Sequence, residues 1–355
     1  MSAVGSSVPE EVGALVAQLG DEWACAADRA TPLSGGISNT NYLVTRGGEN
    51  DGRREEEDVV VVKLFGAGTS LFVDRARENE ILSVLSSVGI APKVLVSGEH
   101  GRVEAFLGGY RALVPAEMGD LRMIPLIARA LAELHNVTDV PCHGSGRIGV
   151  GAESKPVSVL WPTLRKWLEM AVAVRTESDA TWFRHEAVKE LIDQLEVELS
   201  ESSVHEHEFV ADLDRTVLCH NDLLSGNIMC QSDSVKLIDY EYCGYNPAGF
   251  DVANHFSEYG GFEYDPASFY PSDEQQRAFI RAYMTSRKRS GGEAAVPWPR
   301  VHRRLHQYAV ASSLWWGLWA VIQSSVSHID FDYATYARLR LTTGINFHLD
   351  AIAKL

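Results

Sequence analysis

Apolar residues at Val12, Leu15, Val16 and Leu19 recur at helical spacing and Gly20 follows as a stop, so a helix is expected over about Val8–Leu19. The pattern then changes period. Leu33 to Val44 has two strand-like ends around a turn rich in Gly and hydroxyl groups, and Val59–Phe65 sets four valines ahead of Lys63, Leu64 and Phe65. A helix over about Val73–Ser87 separates that strand from two alternating ones, Ala91–Val96 and Val103–Leu107. Gly108 and Gly109 loosen the chain and mark a hinge, which divides it into 1–108 and 109–355. Beyond the hinge, Ile124–His135 carries Ile124, Ile127, Ala128, Leu131 and Leu134 on one face. Trp161–Met170, Trp182–Leu199, Asp273–Met284 and Leu305–Ser325 read as further helices of an all-helical second lobe. Thr285–Arg300, with Ser-Gly-Gly and two prolines, reads as a linker or loop. No internal repeat appears.

The length of 355 residues allows a large core and suits one two-lobed unit or two domains. Charge narrows the partner. With 48 acidic against 32 basic residues the net charge is −16, and no run of Lys and Arg interleaved with aromatics offers a nucleic-acid footprint. Such a field would favour a small cation. The five cysteines, Cys25, Cys142, Cys219, Cys230 and Cys243, are odd in number and scattered, which fits a reducing compartment. Neither a leader-like N-terminus nor a run of 18 apolar residues is present, so a cytoplasmic protein without a transmembrane segment is expected.

Candidate chemistry concentrates between Leu218 and Glu258. Asp222 follows His220 and Asn221, Asn227 comes five residues later, and Asp239 ends the apolar run Val235 to Ile238. Metal-assisted phosphoryl transfer needs such a set: one carboxylate to orient a hydroxyl, then an amide and a second carboxylate to hold magnesium on the nucleotide phosphates. Asp and Asn also serve ordinary loops through their own backbone. Here Leu223, Leu224, Ile228 and Met229 alternate with the polar groups, as expected of a loop pinned to a core. Upstream, Gly35, Gly36, Ser38 and Asn39 could lay amides and side-chain donors against phosphate, or form a plain hairpin turn. Lys63 is costly in so apolar a strand unless paired, and Glu78 on the following helix is the expected partner; a snorkelling edge lysine is the alternative. Backbone groups near Ala105 to Gly108 are available to an adenine edge. His135 is read as a packing or capping residue. The charged stretch Gly47 to Asp58 is a solvated tip with no assigned function. Tyr259 to Phe262 should line the cleft, and Trp316 and Trp319 share a helical face, as a pocket wall or as core.

Together these segments resemble the choline/ethanolamine kinase family, and its ethanolamine kinases more than its choline kinases, from about Leu33 to Tyr336. The resemblance is carried by HNDLLSGNIM at 220–229, IDYEYCGYN at 238–246, FDVANHFSEY at 250–259 and LWWGLWAVIQ at 314–323. GGISNTNY at 35–42, VVKLFG at 61–66, IAPKV at 90–94 and IDFDY at 329–333 add to it. It implies an α+β, protein-kinase-like bilobal fold, with a small antiparallel sheet in the N-lobe and a larger, mostly α-helical C-lobe. It also implies ATP and Mg2+ as cofactors and an amino alcohol as substrate. By position, Asp222 becomes the base and hydroxyl orienter, Asn227 and Asp239 the metal ligands, and Asp251 a structural support of the catalytic loop. Glu258, Trp316 and Trp319 fall where the family builds its amino-alcohol pocket, with Tyr259 and Phe262 completing a partial cage. Lys63 stands where the family more often carries Arg, which keeps a charge but loses a fork.

Leu223-Leu224-Ser225 and the Gly260-Gly261 pair resemble the ethanolamine side of the family. The expected reaction is phosphorylation of ethanolamine to phosphoethanolamine, the first step of the phosphatidylethanolamine branch of phospholipid synthesis. Choline or dual activity is the alternative, followed by a non-catalytic nucleotide-binding scaffold or an aminoglycoside-type phosphotransferase. A homodimer is compatible with the chain.

Overall fold

The computed structural model describes residues 8–23, 25–33, 39–46, 58–66, 68–138, 140, 147–148, 155–200, 208–287 and 296–355. The chain divides into two units, Met1–Tyr110 and Arg111–Leu355. In the first, helix α1 (Glu10–Val16) runs into a 3-10 turn, Ala17–Leu19, and buries Val12, Leu15 and Val16. Strands β1 (Thr31–Leu33), β2 (Asn39–Thr45), β3 (Val59–Phe65), β4 (Val94–Ser97) and β5 (Gly101–Ala105) form one antiparallel sheet in the order β1-β2-β3-β5-β4. The valine-rich β3 therefore has a hydrogen-bonded neighbour on each side, which suits β-branched side chains on a pleated surface. Val60 and Val62 join Val44, Val96, Val103 and the apolar face of α1 in one core. Helix α2 (Arg75–Ser87) begins where the Asp74 carboxylate accepts the Arg77 N–H at 3.1 Å.

The second unit is mostly helical: α3 (Pro115–Met118), α4 (Ile124–His135), α5 (Leu160–Val174), α6 (His185–Ser200), α7 (Glu208–Asp214), α8 (Ala248–Ser257), α9 (Pro266–Phe269), α10 (Asp273–Ser286), α11 (Trp298–Val326), α12 (Tyr333–Arg338) and α13 (Ile345–Ala353). Short strands correct the all-helical expectation: β6 (Arg111–Ala112), β7 (Arg147–Ile148), β8 (Lys155–Pro156), β9 (Thr216–Cys219), β10 (Ile228–Gln231), β11 (Ser234–Leu237) and β12 (Gly244–Pro247). At two to four residues each, they are too short to show a period in sequence. Pairing of β10 with β11, and of β9 with β12, fixes the loops between them.

The linker expected over 285–300 is corrected at its two ends. Helix α10 continues to Ser286 and α11 already starts at Trp298. Pro297 and Pro299 sit at the cap and first turn of α11, where a missing N–H costs nothing. Residues 288–295 of that segment lie outside the described residues, as do Gly47 to Glu57 of the charged tip.

Helix α11 is buried on nearly every side, packing against α5, α8, α12 and α13. Small residues allow the close approach. A Cβ on Gly317 would lie 2.5 Å from Leu341 Cγ and 3.3 Å from Arg340 Cβ, both in the π-helical turn Leu339–Gly344. Gly317→Ala is therefore expected to destabilise the protein by about 1–3 kcal/mol. A lower urea midpoint at unchanged slope would register it; a wild-type midpoint would mean that the turn moves aside without cost.

Candidate active site

The loop from His220 to Asn227 is held from beneath by one buried carboxylate. Asp251, on α8, accepts the His220 N–H at Oδ2 (2.6 Å) and the Asn221 N–H at Oδ1 (2.8 Å), and lies 2.9 Å from His135 Nε2. His135 Nδ1 lies 2.6 Å from the Tyr283 hydroxyl, so the residue expected to pack does so. Burial alone would raise the Asp251 pKa, but His135 and the backbone donors hold it below the usual carboxylate range. Cys219 approaches His135 and Asp251 closely enough to suggest a metal cluster. Both Asp251 oxygens already accept hydrogen bonds, however, which makes the group a brace.

Asn221 takes the left-handed conformation, with φ of 66°. Its side chain donates to the Tyr242 carbonyl (2.8 Å) and accepts from Asn246 (3.0 Å), so both ends of the amide stabilise that geometry. His220 Nδ1 accepts the Asp222 N–H at 3.3 Å while Nε2 donates to the Ile238 carbonyl at 2.9 Å, which assigns its tautomer. The loop is thereby tied to the strand end that delivers Asp239.

Asp222, Asn227 and Asp239 converge through local bonds. Asn227 donates its side-chain N–H2 to the Asp222 carbonyl at 2.8 Å and to Asp222 Oδ2 at 3.2 Å. The amide nitrogen is thus committed, and its Oδ1 is the atom left to act as a ligand. The Asn227 carbonyl accepts the Ile238 N–H at 3.0 Å, setting Asp239, with φ of 65°, next along the chain. Burial and the carboxylates of Glu258, Asp239 and Glu241 push Asp222 well above the usual carboxylate range, against a lowering bond from Asn227. A cation entering this group would reverse much of that shift.

Glu258 follows α8 and is buried against the guanidinium of Arg340. Trp316 and Trp319 meet edge to face, with centroids 5.4 Å apart. Tyr242 approaches Trp316 at 5.3 Å and Tyr333 approaches Trp319 at 5.7 Å, giving four contiguous rings. The indole N–H of Trp319 donates to the Tyr242 hydroxyl (2.9 Å) and that of Trp316 to Asn254 Oδ1 (2.8 Å). Asn254 in turn donates to the Asn221 carbonyl at 3.2 Å, joining the aromatic group to the loop carrying Asp222. Trp315 instead packs on Trp167 and Phe250 as core.

The loop after Glu258 divides its aromatics. Tyr259 donates its hydroxyl to the Met118 carbonyl at 2.9 Å and packs against His255 and Phe256. Phe262 is 40% exposed and rests on Phe331 and Tyr336. Sequence reasoning did not find Tyr242, Tyr333, Asn254 or Arg340 as site residues. Tyr242 and Tyr333 lie inside motifs that carried the resemblance, but their approach to the Trp pair is set by tertiary packing.

In the first unit, Glu78 receives two guanidinium groups: Arg75 Nη1 at 2.6 Å and Arg102 Nη1. Neither had been assigned to it from sequence. Arg75 also donates to Thr69 (2.9 Å) and to Asn39 Oδ1 (3.3 Å), and its guanidinium lies over Phe65. Lys63 is buried on β3, opposite Asn41 and Arg102 in the strand register. Gly35, Gly36 and Ser38 lie outside the described residues.

Comparison with known proteins agrees with the motifs. The family model for choline/ethanolamine kinase matches residues 30–344. Mouse ethanolamine kinase 2 is 33% identical, covering 92% of this chain and 78% of its own. Probable choline kinase 2 of Arabidopsis thaliana is 29% identical, covering 94% and 90%. The structure of Plasmodium vivax ethanolamine kinase superposes with a TM-score of 0.71 at 26% identity, covering 89% of this chain and 82% of that one. An ADP-bound aminoglycoside phosphotransferase, at a TM-score of 0.50 and 13% identity, covers 90% and 94%. The fold is the α+β protein-kinase-like one, with an antiparallel sheet in the N-terminal part and a helix-rich remainder.

Proposed function

Because this chain belongs to the choline/ethanolamine kinase family, we propose that it transfers the terminal phosphoryl group of ATP to the hydroxyl of ethanolamine, giving phosphoethanolamine. The observation that carries this reading is the crowding of Asp222 by Glu258, Asp239 and Glu241, beside an aromatic group that includes Trp316 and Trp319. A site built this way attracts cations: the ammonium of the acceptor and the magnesium of the nucleotide.

Asp222 accepts the hydrogen bond of the substrate hydroxyl and points its oxygen at the phosphorus. Asn227 and Asp239 hold the metal; the amide oxygen left by the Asn227 bonds and the Asp239 carboxylate are hard donors that suit Mg2+. When bound, Mg2+ supplies neutralisation of the phosphate oxygens. Lys63 and Asn39, with Gly35, Gly36 and Ser38, contact the nucleotide, and Glu78 orders this group through its arginines. Glu258 takes the ammonium against the faces of Trp316 and Trp319, with Phe262 at the edge of the aromatic set.

A primary ammonium carries three donors and needs acceptors, whereas a quaternary one is held by aromatic faces. Tyr259 is turned to Met118 and Gly260 and Gly261 carry no ring, which favours the acceptor-based reading. The four rings of Tyr242, Trp316, Trp319 and Tyr333 favour choline as the second reading. The test is turnover of ethanolamine and its mono-, di- and trimethylated forms with Mg-ATP. We expect kcat/KM to fall at each methylation; a rise toward choline would give the aromatic faces the deciding role. No helix among the described residues is long and apolar enough to cross a membrane.

A further inference from the structure

Arg340 brings a fixed positive charge to a site read as binding a cation. It is fully buried in the π-helical turn Leu339–Gly344 and is clamped on several sides. Its Nη2 contacts Glu258 Oε1; its Nε and Nη2 donate to the Tyr336 hydroxyl at 2.9 and 2.6 Å; and its guanidinium carbon stands 3.9 Å over the ring of Tyr264. Tyr264 is fixed in turn by its hydroxyl, 3.2 Å from Ser313 Oγ on α11. The close contact at Gly317 sets the height of the whole turn against α11, between the two tryptophans of the aromatic group.

Arginine and carboxylate commonly pair through two parallel bonds, using both oxygens. This pair does not. Nη1 of Arg340 is buried without a hydrogen-bond partner, and the contact with Glu258 runs through Oε1 alone. The guanidinium therefore anchors one oxygen of Glu258 and does not occupy Oε2, which remains available to a different donor.

We infer that Arg340 is a positioning residue acting through Glu258: it fixes the direction of that carboxylate so that Oε2 meets an N–H of the substrate ammonium. This rests on the ethanolamine reading above and deepens it. Selectivity follows from the same geometry. A directed oxygen rewards an ammonium that can donate, and it gives little to a trimethylammonium, which feels only the charge. Arg340 thereby favours ethanolamine over choline although it makes no contact with either.

The test compares wild type, Arg340→Met, Arg340→Lys, Glu258→Gln and the double variant Glu258→Gln/Arg340→Met, each checked for folding by its thermal midpoint and assayed with ethanolamine and with choline. For Arg340→Met we expect the ethanolamine KM to rise by about tenfold to a hundredfold, the scale of a misplaced binding group. KM for ATP should stay unchanged, and choline kcat/KM should fall much less, so that the ethanolamine preference collapses. Arg340→Lys, which keeps the charge on a flexible stem, should recover part of that preference. In the Glu258→Gln background the second substitution should leave the ethanolamine KM where Glu258→Gln alone puts it, since the two act as one unit. Should Arg340→Met fail to fold, this double comparison decides, because removing both charges leaves no stranded carboxylate.

Equal losses for the two substrates, or a further large rise in the double variant, would overturn the inference. A wild-type enzyme that turns over neither amine, or prefers choline, would instead overturn the ethanolamine reading itself. The two failures are thus separable.

Discussion

Asp222→Ala is expected to lower turnover by about 10²–10⁴-fold, the range for loss of a positioned acid–base group. ATP affinity should be nearly unchanged. The division follows from where Asp222 stands. Its carboxylate is bonded to Asn227 and crowded by Glu258, Asp239 and Glu241, all in the second unit. Its proposed partner is the acceptor hydroxyl, whereas Gly35, Gly36, Asn39 and Lys63 are the proposed nucleotide contacts. Removing one of four crowded carboxylates also lessens repulsion among the rest, so the variant should fold at least as well as wild type. Loss of nucleotide binding, or turnover close to wild type, would contradict this assignment. Asp222→Asn keeps the shape and removes the charge; a comparable loss there would identify the carboxylate as the working feature.

Asp251→Ala is expected to be the most damaging substitution outside the group that touches substrate. The Asp251 carboxylate is fully buried and takes the His220 N–H, the Asn221 N–H and a bond with His135. Alanine leaves those groups without their acceptor at a site closed to solvent, at about 1–3 kcal/mol for each unsatisfied group. Allowing for partial relaxation among the three groups, we expect a total loss of about 3–5 kcal/mol. The effect should reach activity as well. The two N–H groups belong to the residues just before Asp222, and Asn221 holds its left-handed φ within this network. In protein that remains folded, kcat should fall by about a hundredfold, as expected when a reacting group is displaced by about an ångström. A denaturation curve and a kcat measurement on the same sample check both parts. Wild-type stability in Asp251→Ala would show that the brace is dispensable.

The parts of the fold legible in the chain were those with a strong, uninterrupted period. Val59–Phe65 and Ile124–His135 were expected at the bounds at which the structure has them. Burial there is decided by the element's own residues: valines flanked by two strands, and a clean apolar face on a helix. The start of α11 was hidden because proline breaks a helix in its interior but is tolerated in its first turn. The short strands β6 and β9 to β12 were hidden because they owe their existence to pairing across loops.

The candidate site shows the same division. Asp222, Asn227 and Asp239 lie within 18 positions of one another in a stretch whose loop geometry is local, and their chemistry could be argued from spacing. The arginines that meet Glu78 and Glu258 could not. Arg102 comes from a strand that pairs with β3, and Arg340 from a turn 82 residues beyond Glu258. No periodicity connects such pairs. The tryptophans of α11 were likewise ambiguous in sequence; packing assigns Trp315 to Trp167 and Phe250, and gathers Trp316 and Trp319 with Tyr242 and Tyr333.

The proposed reaction passes a phosphoryl group from ATP to the hydroxyl of a small amino alcohol. The most direct measurement is a phosphorus NMR time course of the wild-type protein with Mg-ATP and ethanolamine, set beside the same mixture without ethanolamine. A phosphomonoester signal growing in step with ADP, present only with the amine, is the predicted result. ADP appearing together with inorganic phosphate alone, or ATP persisting unchanged in both mixtures, would contradict it.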